Sequence, residues 1–405
     1  MRILHVIHSV DPCSGGPSHA LRAIVRGQVA AGHHVSVLAT TVQSAAKWQS
    51  ADAYRQAIRE EQAFEGCDVK LVEAWGRRKP WSHYGYSPSA RNWLRHRLGE
   101  PLLAPEVVHV HGVFSHVTSL AAAESLRLGV PYMVRPCGIL DVHSLDSGRV
   151  WMKRLFLRLL LRRHLQTAAA LHATSGAEAD ALAYWVPKEK IRTVPLGVEV
   201  RCRLEPGVAE RFLARFVQLC GKRIVLFLGR IAAKKRPELL VEAVARLRSE
   251  MPDLVLLIAG HDDGGMAAVE AAIRRHDLTD AVVHAGFLQG EEKDGAFAAA
   301  SLFALPSLDE NFGVAVVEAM ACELPVLVTP EVASGEYVVA SGGGVVVEGT
   351  VEAIVDGMRR ILTGDRGAIG RAGREFVERH LSWPTVLAQL DDVYRELVQD
   401  ARSRG

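Results

Sequence analysis

Two glutamates separated by seven residues, Glu310 and Glu318, stand in the run Pro306-Ser307-Leu308-Asp309-Glu310-Asn311-Phe312-Gly313-Val314-Ala315-Val316-Val317-Glu318-Ala319-Met320-Ala321. The pattern predicts a helix starting near Phe312-Gly313, with Glu310 ahead of it and Glu318 between one and two turns inside. Free backbone N–H groups at a helix N-terminus receive a phosphate. Glu310 would then contact whatever lies beyond the phosphates, while Glu318 points a bidentate acceptor at a diol. Acids near a helix start also complement its dipole, which is the blander reading. Yet an apolar helix that keeps Glu318 among Val, Ala and Met needs a partner for that charge.

A second run, Leu226-Phe227-Leu228-Gly229-Arg230-Ile231-Ala232-Ala233-Lys234-Lys235-Arg236, reads as a buried strand that delivers Gly229 and Arg230 to its carboxyl end. Three more cations follow at 234–236. Arg offers a planar fork and Lys a point charge, a pairing suited to phosphate oxygens. A solvated basic loop is the alternative; placement at a strand's carboxyl end favours phosphate. Near the N-terminus, Ser14-Gly15-Gly16-Pro17-Ser18 leads from a first strand into a helix. Glycines there let backbone N–H groups approach an anion, although many such turns are glycine-rich for steric reasons alone. His109 and His111 share a strand face, but no third ligand is visible and no metal site is expected. The chain contains no Asp-x-Asp pair, so no metal bridging a diphosphate is expected either.

The elements that must position these groups alternate along the chain. Strand candidates in the first half are 2–7, 35–40, 69–73, 107–111, 131–135, 170–174 and 191–195. A fresh series follows at 223–229, 254–260, 281–285, 301–306 and 325–329. Helical periodicity lies between them, for example at 18–31, 117–128 and 177–185, the last opening with the capping-box pattern Ser175-Gly176-Ala177-Glu178. Such alternation implies parallel sheets covered by helices on both faces. The expected architecture is α/β, with two Rossmann-like doubly wound domains, 1–196 and 197–381, facing a central cleft. The boundary follows Pro195-Leu196-Gly197, 198–222 is a connector with one helix, and a final helix within 382–405 could cross back to the first domain. An eight-stranded barrel is the alternative. In open sheets ligands bind beyond the carboxyl ends of the strands, which is where the glycine-rich loops fall.

Composition excludes several classes. Forty-eight Lys and Arg against 46 acids give a formal charge of +2, without the basic excess of a general nucleic-acid binder. With 49% hydrophobic and 23% charged residues, and no long low-complexity stretch, the chain is globular rather than disordered. Its six cysteines (Cys13, Cys67, Cys137, Cys202, Cys220 and Cys322) are scattered, which fits reduced thiols in a cytoplasmic protein. The opening Met1-Arg2-Ile3-Leu4-His5-Val6-Ile7-His8 reads as a strand rather than a signal peptide, being short and broken by histidines. No window approaches the ~18 uninterrupted apolar residues of a membrane span.

With these motifs in order, the sequence resembles a retaining, two-domain glycosyltransferase of family 4, of GT-B architecture. The resemblance rests on Gly15-Gly16, Gly229-Arg230…Lys235 and Glu310…Glu318, and extends to Ala30-Ala31-Gly32-His33-His34-Val35 and Ser382-Trp383. It implies that Arg230 and Lys235 hold the diphosphate of a nucleotide-sugar donor, that Glu318 accepts from the ribose, and that Glu310 accepts from the donor sugar. By the same resemblance, Phe312, Gly313 and Val314 line the phosphates and sugar beside Asn311, Gly16 closes from the opposite domain, and Gly286-Phe287 meets the base. The catalytic set it implies is Arg230, Lys235 and Glu310, with no cofactor and no metal. An epimerase acting on the same donor, or a non-catalytic donor-binding scaffold, are the alternatives.

The chain also departs from the family. Where many relatives have His before Gly, Arg135-Pro136-Cys137-Gly138 carries Cys137, so a histidine contact to the sugar does not transfer; His111-Gly112 is the other candidate for that side. Glu323 stands where relatives usually have glycine. On the acceptor side, Arg154, Arg158 and Arg162 share one helical face in 151–163 among bulky apolar residues. A basic amphipathic helix can sit on anionic lipid at the inner membrane face, which suits a lipid-linked acceptor, while a domain helix with solvated arginines is the alternative. Arg77-Arg78-Lys79 with Trp75, Trp81, Tyr84 and Tyr86 form a second candidate acceptor loop.

Overall fold

The structure, a computed structural model, describes residues 1–11, 15–41, 51–74, 85–138, 140, 161–200 and 206–404. The chain divides into two compact units. The first comprises Met1–Gly197 and Trp383–Gly405. It holds a parallel sheet of β1 (Arg2–Ile7), β2 (His34–Thr40), β3 (Asp68–Val72), β4 (Val107–His111), β5 (Tyr132–Arg135), β6 (Ala170–Ala173) and β7 (Ile191–Thr193). Their order is β3-β2-β1-β4-β5-β6-β7. The second unit, Val198–Ser382, carries β8 (Arg223–Leu228), β9 (Leu254–Ala259), β10 (Val282–Gly286), β11 (Leu302–Leu305), β12 (Val326–Val328) and β13 (Gly344–Val346), in the order β10-β9-β8-β11-β12-β13. These are two open parallel sheets, not one barrel.

The strands follow from their side chains. Val107-Val108-His109-Val110-His111 and Leu254–Ala259 are buried on both faces, as helix-covered parallel strands must be. β13 lies beyond the last strand candidate read from sequence, 325–329. The structure shows why glycine serves there: a Cβ on Gly344 would lie 1.9 Å from the Val326 carbonyl oxygen, so only glycine lets β13 approach β12.

Each sheet reverses its strand order at one place, between β1 and β4 in the first and between β8 and β11 in the second. Such a switch point is where open α/β sheets bind ligands. Gly15-Gly16 follows β1 and His111 ends β4, while Arg230 to Lys235 follows β8 and Ser307 to Glu310 follows β11.

The C-terminal helix, Trp383–Arg404, belongs to the first unit, where Val386, Leu390, Tyr394 and Leu397 pack with Ile3, Val107, Met133 and Val194. It tethers to a buried polar row on the sheet: His5, His109, His111, His172 and Arg135, each 2% exposed or less. His172 Nε2 donates to the Val194 carbonyl (2.8 Å), so its Nδ1 accepts from His109 Nε2 (3.3 Å), and His109 Nδ1 accepts from the Tyr394 hydroxyl (2.7 Å). His5 Nε2 donates to Gln28 Oε1 (2.8 Å), leaving its Nδ1 to accept from His111 Nε2 (2.9 Å). Every ring is neutral in this arrangement.

Burial pushes these histidines down, His5 to about 4 and His172 to about 3, with the Arg135 cation pressing the same way. His109 and His111 shift well downward for the same main reason. Unfolded histidine titrates near 6.5, so below that pH the unfolded chain binds protons the native chain refuses. Their contribution to stability is complete above about pH 6.5 and is lost as pH falls toward the depressed native values. The expected result is a thermal midpoint that drops steadily between pH 7 and pH 4, with a shallower slope in His172→Gln; equal slopes would contradict it.

Candidate functional site

At the end of β8, Gly229 N–H donates to the Ala259 carbonyl (2.9 Å) and Ile231 N–H to the His261 carbonyl (2.8 Å). A Cβ on Gly260 would fall 1.8 Å from the Gly229 carbonyl oxygen, so the loops after β8 and β9 touch only because Gly260 has none. This clamp presents Arg230 outward, 65% exposed and paired with Asp263 at 2.6 Å.

The three following cations separate in function. Arg236 donates to the carbonyls of Pro306 (2.9 Å) and Gly349 (3.1 Å), so it fixes the loops rather than facing a ligand. Lys234 pairs with Asp309 at 2.8 Å. Lys235 pairs with Glu310, both largely buried. Glu310 itself is gripped by the loop after β12: its N–H donates to the Glu331 carbonyl (3.1 Å) and its carbonyl accepts from Ala333 N–H (3.1 Å). A residue from beyond β8 and one from beyond β11 thus meet at the switch point of the second sheet.

The helix Val314–Ala321 begins directly after this grip. Its N-cap, Gly313, has φ 79°, and a Cβ there would lie 3.0 Å from Ser334 Oγ, so glycine is needed for both conformation and space. No side chain caps the helix, so its first amides have no side-chain acceptor. Phe312 is buried against Tyr337, anchoring the entry, and Asn311 and Val314 are half-buried. The helix buries Val316, Val317, Ala319 and Met320 and leaves Glu318 at its edge.

The partner that Glu318 requires is Lys293, whose Nζ donates to Glu318 Oε1 at 2.8 Å from the helix Glu291–Ala299. Sequence reading missed Lys293; the demand for a counter-charge was the signal, but nothing in the chain order says which lysine answers. Phe287, after Gly286 at φ 71°, is 53% exposed and stacks on His261, with ring centres 4.4 Å apart and planes at 11°. This flat aromatic face is the one feature at the Gly286-Phe287 position.

The helix C-terminus carries strain. Glu323 adopts φ 59°, a left-handed conformation in which a side chain costs about 1 kcal/mol or more. Its only charged neighbour among the described residues is Arg374 at 3.8 Å. Glu323→Gly is expected to raise stability by up to about 1 kcal/mol, read as a higher thermal midpoint, because glycine suits the position after a helix end. A lower midpoint would mean that the Arg374 pair outweighs the strain.

In the first unit, Gly15 has φ 89° and caps the helix Gly16–Ala30, and Cβ atoms at Gly15 or Gly16 would meet nothing within 4 Å. Only Gly15 is therefore explained by backbone conformation; Gly16 leaves open room at the helix start. Ser14 lies outside the described residues. His111 is buried at the end of β4, and Cys137, at φ 60°, turns its Sγ back to accept from Arg135 Nε at 3.3 Å. The capping box is half realised. Ser175 Oγ accepts from Glu178 N–H (3.1 Å), but Glu178 does not return to Ser175. It accepts instead from Thr174 N–H and Oγ1 (2.7 Å each) and from Gly138 N–H (2.9 Å), tying the loop after β5 to the loop after β6.

The structure supplies the third histidine that the sequence hid: ring nitrogens of His5, His109 and His111 lie within 4.8 Å of one another. A dication there would break the His111–His5 hydrogen bond and sit beside the Arg135 cation, so the trio reads as a hydrogen-bonded core. Of the acceptor candidates, 151–160 and 75–84 lie outside the described residues. Arg162 and Arg163 are exposed, and the Tyr86 ring packs 4.5 Å from His116. Cys67, Cys137, Cys220 and Cys322 are free thiols, and no helix of the described residues is long and apolar enough to cross a membrane.

Residues 213–376 match the family described as Glycosyl transferases group 1, and 15–197 match the Glycosyl transferase 4-like domain. A D-inositol 3-phosphate glycosyltransferase of Stackebrandtia nassauensis is 30% identical over 335 residues, 76% of this chain and 73% of that protein. A GDP-mannose:cellobiosyl-diphosphopolyprenol alpha-mannosyltransferase of Xanthomonas campestris is 24% identical over 412 residues, covering 100% and 99%. For other D-inositol 3-phosphate glycosyltransferases the alignment spans about half of the relative's length. Among solved structures, Anabaena HepE in complex with UDP and glucose superposes with a TM-score of 0.75 at 16% identity, covering 98% of this chain and 100% of that one, which shows the shared fold. The α/β units with their switch-point motifs and these matches lead to one conclusion: the chain belongs to the group 1 glycosyltransferases of family 4, with the GT-B fold.

Proposed function

We propose that the protein transfers a sugar, with retention at the anomeric carbon, from a nucleotide-sugar donor to a hydroxyl of a sugar or lipid-linked sugar acceptor. The process is assembly of cell-surface polysaccharide or glycolipid, in the cytoplasm or at the inner membrane face. The observation that carries this reading is the meeting of Lys235 and Glu310 at the switch point of the second sheet, beside Arg230 and ahead of the uncapped helix that holds Glu318. Relatives named as GDP-mannose and inositol phosphate glycosyltransferases support transfer over epimerisation or a silent scaffold.

The chemistry follows from charge. The bond between the anomeric carbon and the donor phosphate oxygen breaks, and its electron pair leaves with the nucleoside diphosphate. A bond from the acceptor hydroxyl forms on the same face, and the hydroxyl proton passes to the departing phosphate oxygen. Arg230 and Lys235 stabilise the growing negative charge. Glu310 orients the donor sugar, Glu318 the ribose, and Gly313 and Val314 give amides to the phosphates. Gly229, Gly286, Phe287, Asn311 and Phe312 shape the donor's surroundings.

A panel of nucleotide sugars should contain at least one that raises the thermal midpoint and whose sugar is released or transferred. That activity should persist in excess chelator. Abolition by chelator and recovery on adding manganese would overturn the metal-free mechanism; no hit across the panel would overturn the donor reading.

A further inference from the structure

Arg135 is the largest fully buried side chain, 2% exposed, at the carboxyl end of β5. A buried guanidinium normally sits against a carboxylate, because an unpaired charge in the interior is costly. Among the described residues none is within ion-pair distance. Its Nε donates to the Cys137 thiol and its Nη1 has no partner. The surrounding imidazoles are neutral and supply no negative charge.

The neighbouring strand end shows the complementary vacancy. His111 is paired in register with Arg135 across β4 and β5, and its Nδ1 is also buried without a partner. β4 is followed by Gly112 at φ 83°, where a Cβ would meet nothing within 4 Å, and β5 is followed by Pro136 and Cys137 before Gly138 turns the chain at φ 73°. Glu178 holds the Gly138 amide and so fixes this turn without itself approaching the guanidinium as an ion pair.

We infer that Arg135 and His111 form an oxyanion site at the carboxyl ends of β4 and β5, which takes a phosphate or phosphate ester of the acceptor. Arg135 donates from Nη1 to one oxygen of the anion. His111 Nδ1 meets a second oxygen and accepts its proton-bearing O–H when the group is a monohydrogen phosphate. The anion supplies the counter-charge that Arg135 lacks among the described residues. Assignment to the acceptor rests on the proposed function, since Arg230, Lys235, Glu310 and Glu318 lie in the other unit; the existence of the site does not.

The test is the thermal midpoint of the full chain in a buffer free of oxyanions, titrated with inorganic phosphate and with octyl phosphate, for wild type, Arg135→Met and Arg135→Lys. Wild type should be stabilised by the anion. Arg135→Met should start at or above the wild-type midpoint, having lost an unpaired buried cation, and should bind phosphate at least about tenfold more weakly. Stabilisation by octyl phosphate beyond inorganic phosphate identifies an esterified anion; equal stabilisation identifies the free ion as sufficient. Should Arg135→Met not fold, the imidazole Cε1–H resonance of His111 in wild type must move on phosphate titration. Absence of stabilisation in wild type, an equal shift in Arg135→Met, or an unmoved His111 resonance would each overturn the inference. Nucleotide binding in Arg135→Met, measured in parallel, should be unchanged, so loss of the anion site and failure of the donor reading are told apart.

Discussion

Replacing Arg230 by alanine should lower kcat by about a thousandfold while leaving the thermal midpoint at the wild-type value. One unit charge at ~4 Å and an effective dielectric near 20 is worth about 4 kcal/mol to a departing diphosphate, which converts to about a thousandfold in rate. The midpoint should not move because Arg230 and its partner Asp263 are both more than half exposed, and exposed pairs contribute little. Lys235→Ala should cost a similar factor in turnover but also lower the midpoint. Its partner Glu310 is only 22% exposed and would be left without its counter-charge. The contrast between the two variants is the informative result. A turnover loss under tenfold in Arg230→Ala would mean that the guanidinium does not face the leaving group.

Glu318→Ala should weaken nucleotide binding by about ten- to a hundredfold, read by calorimetry with a nucleoside diphosphate. Hydrogen bonds to a charged acceptor are worth about 1.5–3 kcal/mol, and a diol would make two of them with one carboxylate. Lys293 occupies only Oε1 of that carboxylate, so the variant loses both the diol acceptor and the fixed orientation that Lys293 imposes. Glu318→Gln should retain part of the affinity, since the amide oxygen still accepts. Unchanged affinity in Glu318→Ala would discredit the ribose assignment.

The parts of this molecule most legible in the sequence are those governed by local rules. Runs such as Val107–His111 and Leu254–Ala259 announce buried parallel strands by hydrophobicity alone, and Gly313 followed by an apolar helix marks the helix start. What sequence could not show is pairing across the fold. Lys293 and Glu318 lie 25 residues apart, and His5 and His111 lie 106 apart, so no spacing rule links them. The capping box is realised at Ser175, while Glu178 takes the backbone donors of Thr174 and Gly138, a choice the chain order does not show, and Arg236 serves carbonyls instead of a ligand. The row of neutral histidines around Arg135 is legible only once four strands are laid side by side.

The most direct test of the central claim is a crystal structure of the protein soaked with whichever nucleotide sugar gives the largest thermal shift. The diphosphate should lie within hydrogen-bond reach of Arg230, Lys235 and the amides at Gly313 and Val314, with the ribose on Glu318 and the sugar against Glu310. Density for that compound away from the switch point of the second sheet, with those side chains still paired to Asp263, Glu310 and Lys293, would contradict the account.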